Sequence, residues 1–261
     1  MSHWKKAAGK AQGLWNLQNM STVAANQIKA AVNRKLKTPV VTRWNSYYDS
    51  ITVLLEVLRQ PSHLEAINTI IINQPRGTKT PINEIDIKIF SEYKAVMDPV
   101  AVCLDRLQEE ANAYMGILLP NLHIMKSHLE RQRDSGDLQY ATPLVEALLK
   151  GFDTRFCHLY EDREVLMATA IHPHYTPAVL RKVAPDMVAA IKDRLIREFK
   201  NSIKSKVEEE QPGPSAPWHR DLSEDPDVLD LFLDDDAPDR RQEELGEVLT
   251  KSMESWQRAN T

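Results

Sequence analysis

Apolar side chains recur every three or four residues through most of the chain, the spacing of one helix face. Trp44, Tyr48, Ile51, Leu55 and Leu58 form the first such stripe. Ser46 with Asp49 three residues on predicts a capping box that opens this helix. Ser62 and Glu65 repeat the signature before Leu64, Ile67 and Ile71. Ile70-Ile71-Ile72 read alone suits a strand, but the cap in front of it favours a short helix. Asn73 to Pro81, with Pro75, Gly77 and Pro81, predicts a loop.

A long stripe follows at Ile85, Ile89, Tyr93, Val96, Val100, Leu104 and Leu107. Pro99 lies inside it and should kink or split the helix. Leu118, Leu122, Met125 and Leu129 make the next stripe, with Pro120 inside. Leu144, Leu148, Phe152, Phe156 and Leu159 make another, and Met187, Ile191, Leu195 and Phe199 the one after. Pro39-Val40-Val41-Thr42 alone has strand character and is too short for a sheet. The pattern predicts an all-α fold, with a basic helical segment over 1–45 and a multi-helix body over 46–205.

Beyond 205 the pattern changes. Glu-Glu-Glu-Gln-Pro-Gly-Pro-Ser-Ala-Pro at 208–217 has too little apolar surface to fold, so 206–239 reads as a disordered acidic linker. Within it, 227–236 alternates acids with Val228, Leu229, Leu231, Phe232 and Leu233. That segment reads either as a docking element or as a solvated spacer. Residues 240–261 regain a stripe of Leu245, Leu249, Met253 and Trp256, an amphipathic helix that needs a partner protein or a second copy to cover it.

Composition adds a charge gradient. The 261 residues carry a formal net charge of −4. Residues 1–48 hold eight basic groups and no acid, residues 49–207 are near neutral, and residues 208–247 hold fifteen acids against three arginines. A basic head suggests a polyanion partner, although solubilising ends explain the same gradient. Only eight glycines and two cysteines are present, which argues against glycine-rich phosphate loops, disulfide scaffolds and four-cysteine zinc sites. No apolar run is long enough for a membrane span. No secretory signal is evident, so the chain reads as soluble and intracellular.

Catalytic motifs are absent from the sequence. There is no nucleotide-binding glycine loop and no nucleophile elbow. His172 and His174 flank Pro173, and Cys157 adjoins His158, but neither pair has metal-ligand spacing. The reading is therefore no enzyme, no metal and no cofactor. One cluster stands out, Thr42-Arg43-Trp44-Asn45-Ser46 at the end of the basic head. Arg43 could hold a phosphate while Trp44 stacks on an exposed base. Trp44 as the core anchor of its helix is the competing reading.

Thr42-Arg43-Trp44-Asn45-Ser46 resembles a segment of the hAT-superfamily transposases and the BED-zinc-finger proteins descended from them. Ile117-Leu118-Leu119-Pro120-Asn121-Leu122, Phe152-Asp153-Thr154-Arg155-Phe156 and Ala168 to Tyr175 resemble later family segments in the same order. In the last, His172, His174 and Thr176 stand where the family has aspartate, arginine and lysine. The resemblance covers about residues 10–200. It implies the helical insertion of an RNase H-like transposase, with the catalytic carboxylates and the BED finger outside this sequence. It also implies that Arg43 and Trp44 descend from a contact to a DNA hairpin, and that the protein is nuclear; without the family, the cytoplasm is the default.

The sequence thus leads to a catalytically inactive, transposase-like protein. Its nucleic-acid contacts would be Arg43, Trp44, Lys29, Arg34, Lys35 and Lys37, for hairpin or single-stranded DNA. The alternative is a protein-interaction scaffold or transcriptional cofactor acting through the acidic tail and the terminal helix.

Overall fold

A computed structural model describes residues 3–40, 45–74, 79–109, 113–172, 175 and 177–209, with backbone only at 177, 178 and 203–209. The predicted linker after 209 and the 240–261 helix lie outside the described residues. The chain forms α1 (His3–Met20), α2 (Thr22–Val32), α3 (Ser46–Leu58), α4 (Pro61–Asn73) and α5 (Glu84–Gln108). After a 3₁₀ turn at Met115–Ile117 come α6 (Leu118–Ser135), α7 (Thr142–Phe156), α8 (Arg163–Ala170), α9 (Pro177–Val183) and α10 (Val188–Glu209). Among the described residues there is no strand, as the spacing predicts, and Ile70–Ile72 lies within α4. The chain divides into two units, Met1–Leu195 and Ile196–Thr261, and all packing below belongs to the first.

Local chemistry sets the helix ends. Ser21 caps α2 by accepting the Ala24 N–H, and Asp162 caps α8 by accepting from Glu164 and Val165. Asn83 and Asp86 form a reciprocal capping box on α5. Asn33 after α2 and Gly136 after α6 take the left-handed conformation, at φ 52° and 71°. The two predicted boxes do not form. Ser46 Oγ instead accepts the N–H of Val40, and Asp49 pairs with Lys37. At α4, Pro61 at the first turn sets the start, and Gln60 precedes it without a side-chain cap.

Pro99 does not split α5, which runs unbroken across it. The missing proline N–H would have bonded the carbonyl of Ala95, and Gln132 of α6 donates to that oxygen instead at 2.7 Å. Pro120 falls in the first turn of α6, where a missing N–H costs little.

The long α5 packs on α1, α3, α6 and α7 and touches three apolar clusters in turn. Its first half meets Trp15, Ile28, Ile51, Ile67 and neighbours from α1–α4 through Ile89 and Phe90. Val96 meets Leu129, Val145 and Leu149, and Cys103 meets Leu122 and Phe152. Each fully buried aliphatic side chain contributes about 1.5–3 kcal/mol. On α7 the seam is Val145–Leu149–Phe152, one position on from the predicted Leu144–Leu148, which flank it half-buried. Ile85 begins the predicted α5 stripe but is 51% exposed.

Two side-chain amides fasten non-helical chain to this frame. Gln18 accepts the Leu36 N–H and donates to the Leu36 carbonyl, both at 2.9 Å. Asn68 does the same for Ile82, both at 2.8 Å. A third device is ionic. The carboxylate of Glu92, only 8% exposed, accepts the N–H groups of Gln139, Tyr140 and Ala141 where α7 begins.

Candidate nucleic-acid interface

The basic head is built on α1 and α2. Their apolar faces carry Ala7, Ala11, Leu14, Trp15, Ile28 and Val32 into the first cluster, and Lys5, Lys6 and Lys29 are exposed. Lys29 is exposed in the last turn of α2, where a cation suits the negative end of the helix. Asn33 then turns the chain into an irregular strap, 34–40. Leu36 anchors the strap: its side chain is 3% exposed, and its backbone is held on both sides by the Gln18 amide. Arg34, Lys35 and Lys37 around it are all exposed.

Their charges differ in availability. Arg34 Nη1 lies 3.0 Å from Glu56 Oε2, and Lys37 Nζ lies 2.7 Å from Asp49 Oδ2. Lys29 and Lys35 make no ion pair with a described residue. Lys10, counted in the basic head, is consumed inside the fold. Its ammonium reaches Asp86 at 2.5 Å, with the two side chains 13% and 6% exposed.

Arg43 and Trp44 lie outside the described residues, and so do Leu245, Leu249, Met253 and Trp256. The flanks of the first pair are well defined. Val40 N–H donates to Ser46 Oγ at 2.5 Å, which joins the two sides of the 41–44 segment. Asn45 donates its amide to Asp105 Oδ1 at 2.7 Å and to the Ala101 carbonyl at 3.3 Å, tying that side to the last turns of α5. Burial raises the Asp105 carboxyl, and the Asn45 bond opposes the shift.

Beside this, Tyr48 donates its hydroxyl to Asp98, which also accepts from Lys94. Burial and that carboxylate both push the Tyr48 hydroxyl up. Tyr47 and Tyr93, at about 12, are raised chiefly by burial among Trp4 and Trp15. The structure thus brings Arg34, Lys35 and Lys37 onto one strap and sets Lys29 on the helix leading to it. The reading of the sequence missed Gln18, although Ala7, Ala11, Leu14 and Gln18 share one helical stripe.

Among the described residues no group of three or more histidines, cysteines or carboxylates could hold a metal ion. The Cys103 thiol is buried and raised to about 11, while Cys157 is exposed. No described helix is long and apolar enough to cross a membrane. Against protein-family models, curated proteins and solved structures, the chain finds no match.

Proposed function

We propose that this chain is a non-catalytic, helical nucleic-acid-binding protein that contacts hairpin or single-stranded DNA through Lys29, Arg34, Lys35, Lys37 and the Arg43–Trp44 segment. The observation that carries the reading is the Gln18–Leu36 clamp, which holds three cations of a four-residue stretch outward on a fixed backbone. Preorganised cations lose less freedom on binding than the same charges on a mobile tail. The pairs to Glu56 and Asp49 are exposed and contribute only about 0–1 kcal/mol each, so a phosphate can replace them. The reading takes the helical body for the insertion region of a hAT-type transposase. On that reading the protein works in the nucleus and its tail is a disordered linker ending in an association helix.

The test compares the parent with Trp44→Ala and with Lys29→Gln/Lys35→Gln, reading melting temperature and affinity for hairpin and single-stranded DNA. Loss of affinity at unchanged melting supports the reading. If the parent binds no DNA at low salt, the reading fails.

A scaffold role is the second reading, favoured by an apolar patch. Tyr114, Met115 and Ile171 are 61%, 57% and 66% exposed. The turn carrying Tyr114 and Met115 packs on α8, which Ile171 follows, and Gly116 sits so close to it that a Cβ there would lie 2.5 Å from the Ala168 carbonyl oxygen. Exposed apolar side chains of this kind suit a protein contact rather than a phosphate backbone. Partner capture that is lost in Tyr114→Ser/Ile171→Ser, with DNA affinity unchanged or absent, would favour this reading.

A further inference from the structure

The paired cations of the head are of two kinds. Lys10 is locked to Asp86 inside the fold, with both side chains largely covered. Arg34 and Lys37 are held on the surface by Glu56 and Asp49, in pairs whose side chains are 39% to 50% exposed. Asp49 and Glu56 lie seven residues apart on α3, two turns along one face and about 10 Å from each other. Two carboxylates at that separation present the strap with a short row of negative charge, as a phosphate backbone would.

We propose that Asp49 and Glu56 are built-in competitors for the polyanion: they occupy the cations that phosphates would take, and nucleic acid binds by displacing them. This inference rests on the nucleic-acid reading above. The displaced carboxylates stay beside the strap, so they continue to oppose the incoming charge and lower the affinity. A ligand with linked phosphates replaces both in one binding event, the second at a high effective concentration, so a chain of phosphates is favoured over single anions. The released carboxylates also gather cations from solution. That uptake offsets part of the counterion release that drives binding, and flattens the dependence on salt.

The experiment uses the full chain, a fluorescently labelled oligothymidylate and a series of salt concentrations. Asp49→Asn/Glu56→Gln should bind several-fold tighter than the parent at low salt. Its log–log salt slope should be steeper, because no released carboxylate gathers cations as the phosphates bind. Inorganic phosphate at matched ionic strength should not compete with the oligonucleotide for the parent. Glu56→Gln alone should give about half the change of slope, and it serves if the double variant proves unstable. Glu146→Gln removes an equal charge from the exposed face of α7 and should change neither affinity nor slope.

If the parent binds but the α3 variants match it, or if Glu146→Gln gives the same gain, the inference is overturned while the nucleic-acid reading stands. If neither parent nor variants bind at low salt, the nucleic-acid reading itself falls.

Discussion

Gln132 donates its side-chain amide to the carbonyl of Ala95, 37 residues away on the neighbouring helix, at 2.7 Å. That carbonyl is the one Pro99 leaves without its backbone partner, so α6 completes the hydrogen bonding of α5 at its proline.

The first prediction follows from this pairing. Gln132→Ala should lower stability by about 1 kcal/mol, because it removes the side-chain donor to the carbonyl that Pro99 leaves without its helical partner. Pro99→Ala restores an N–H that competes for the same oxygen. In that background Gln132→Ala should cost markedly less, and urea unfolding of the four proteins measures the difference. Strictly additive losses would show that the two sites act independently.

The proline also shows where the sequence misleads. A stripe of period 3.6 revealed most helices, because burying one face is a local demand on the chain. Whether Pro99 breaks its helix depends on a donor supplied from Gln132, which no local pattern announces. The same holds for the caps. Ser46 and Asp49 have the right types and spacing for a box, yet Val40 and Lys37 claim their oxygens. At the candidate interface the basic residues were plain in the sequence. Their pairing with Glu56 and Asp49 was not, since those partners lie 22 and 12 residues onward on α3. Gln18 could have been found, for it occupies an inward position of the α1 stripe, where a polar residue needs a hydrogen-bonding partner.

A second prediction concerns Glu92, whose carboxylate gathers three backbone N–H groups at the start of α7. Glu92→Gln keeps the size but puts an NH₂ donor among those donors, leaving buried N–H groups without acceptors. The expected cost is about 1.5–3 kcal/mol, the range for bonds to a charged group. Differential scanning calorimetry of the variant checks it, and an unchanged melting temperature would refute it.

A third concerns acid. His123 is lowered by burial, with Lys126 and Lys182 adding to the shift and Glu130 opposing it. His128 is lowered by burial and Arg131 against the pull of Asp98. A depressed folded-state value means that the unfolded chain binds more protons. The stability contribution is therefore complete above about 6.5, the unfolded value, and declines as pH falls from there toward the lower folded values. Chemical unfolding followed from about pH 7.5 down to about pH 5, across about 6.5, should show falling stability. His123→Gln/His128→Gln should flatten that fall, and an equal slope in parent and variant would exclude these histidines as its source.

The last prediction separates the presentation of the strap from its charge. Gln18 reaches Leu36 with both ends of its amide, and Leu36 stands between Arg34, Lys35 and Lys37. Gln18→Leu fills the site with an apolar side chain but leaves the Leu36 N–H and carbonyl without partners, at a cost of about 1–3 kcal/mol. The strap should then loosen, and the Leu36 amide should exchange its proton faster while amides in the middle of α5 keep theirs. Nucleic-acid affinity should fall because mobile cations must be ordered on binding. The number of cations is unchanged, so the salt slope should stay as in the parent. Lys35→Gln makes the opposite pair of changes, removing about 0.7 from the slope on a single strand while leaving the Leu36 amide protected. The two variants can lose equal affinity and still differ in slope and in exchange. If Gln18→Leu speeds exchange at Leu36 but leaves affinity intact, the clamp is structural alone, and the case for a preorganised strap is lost.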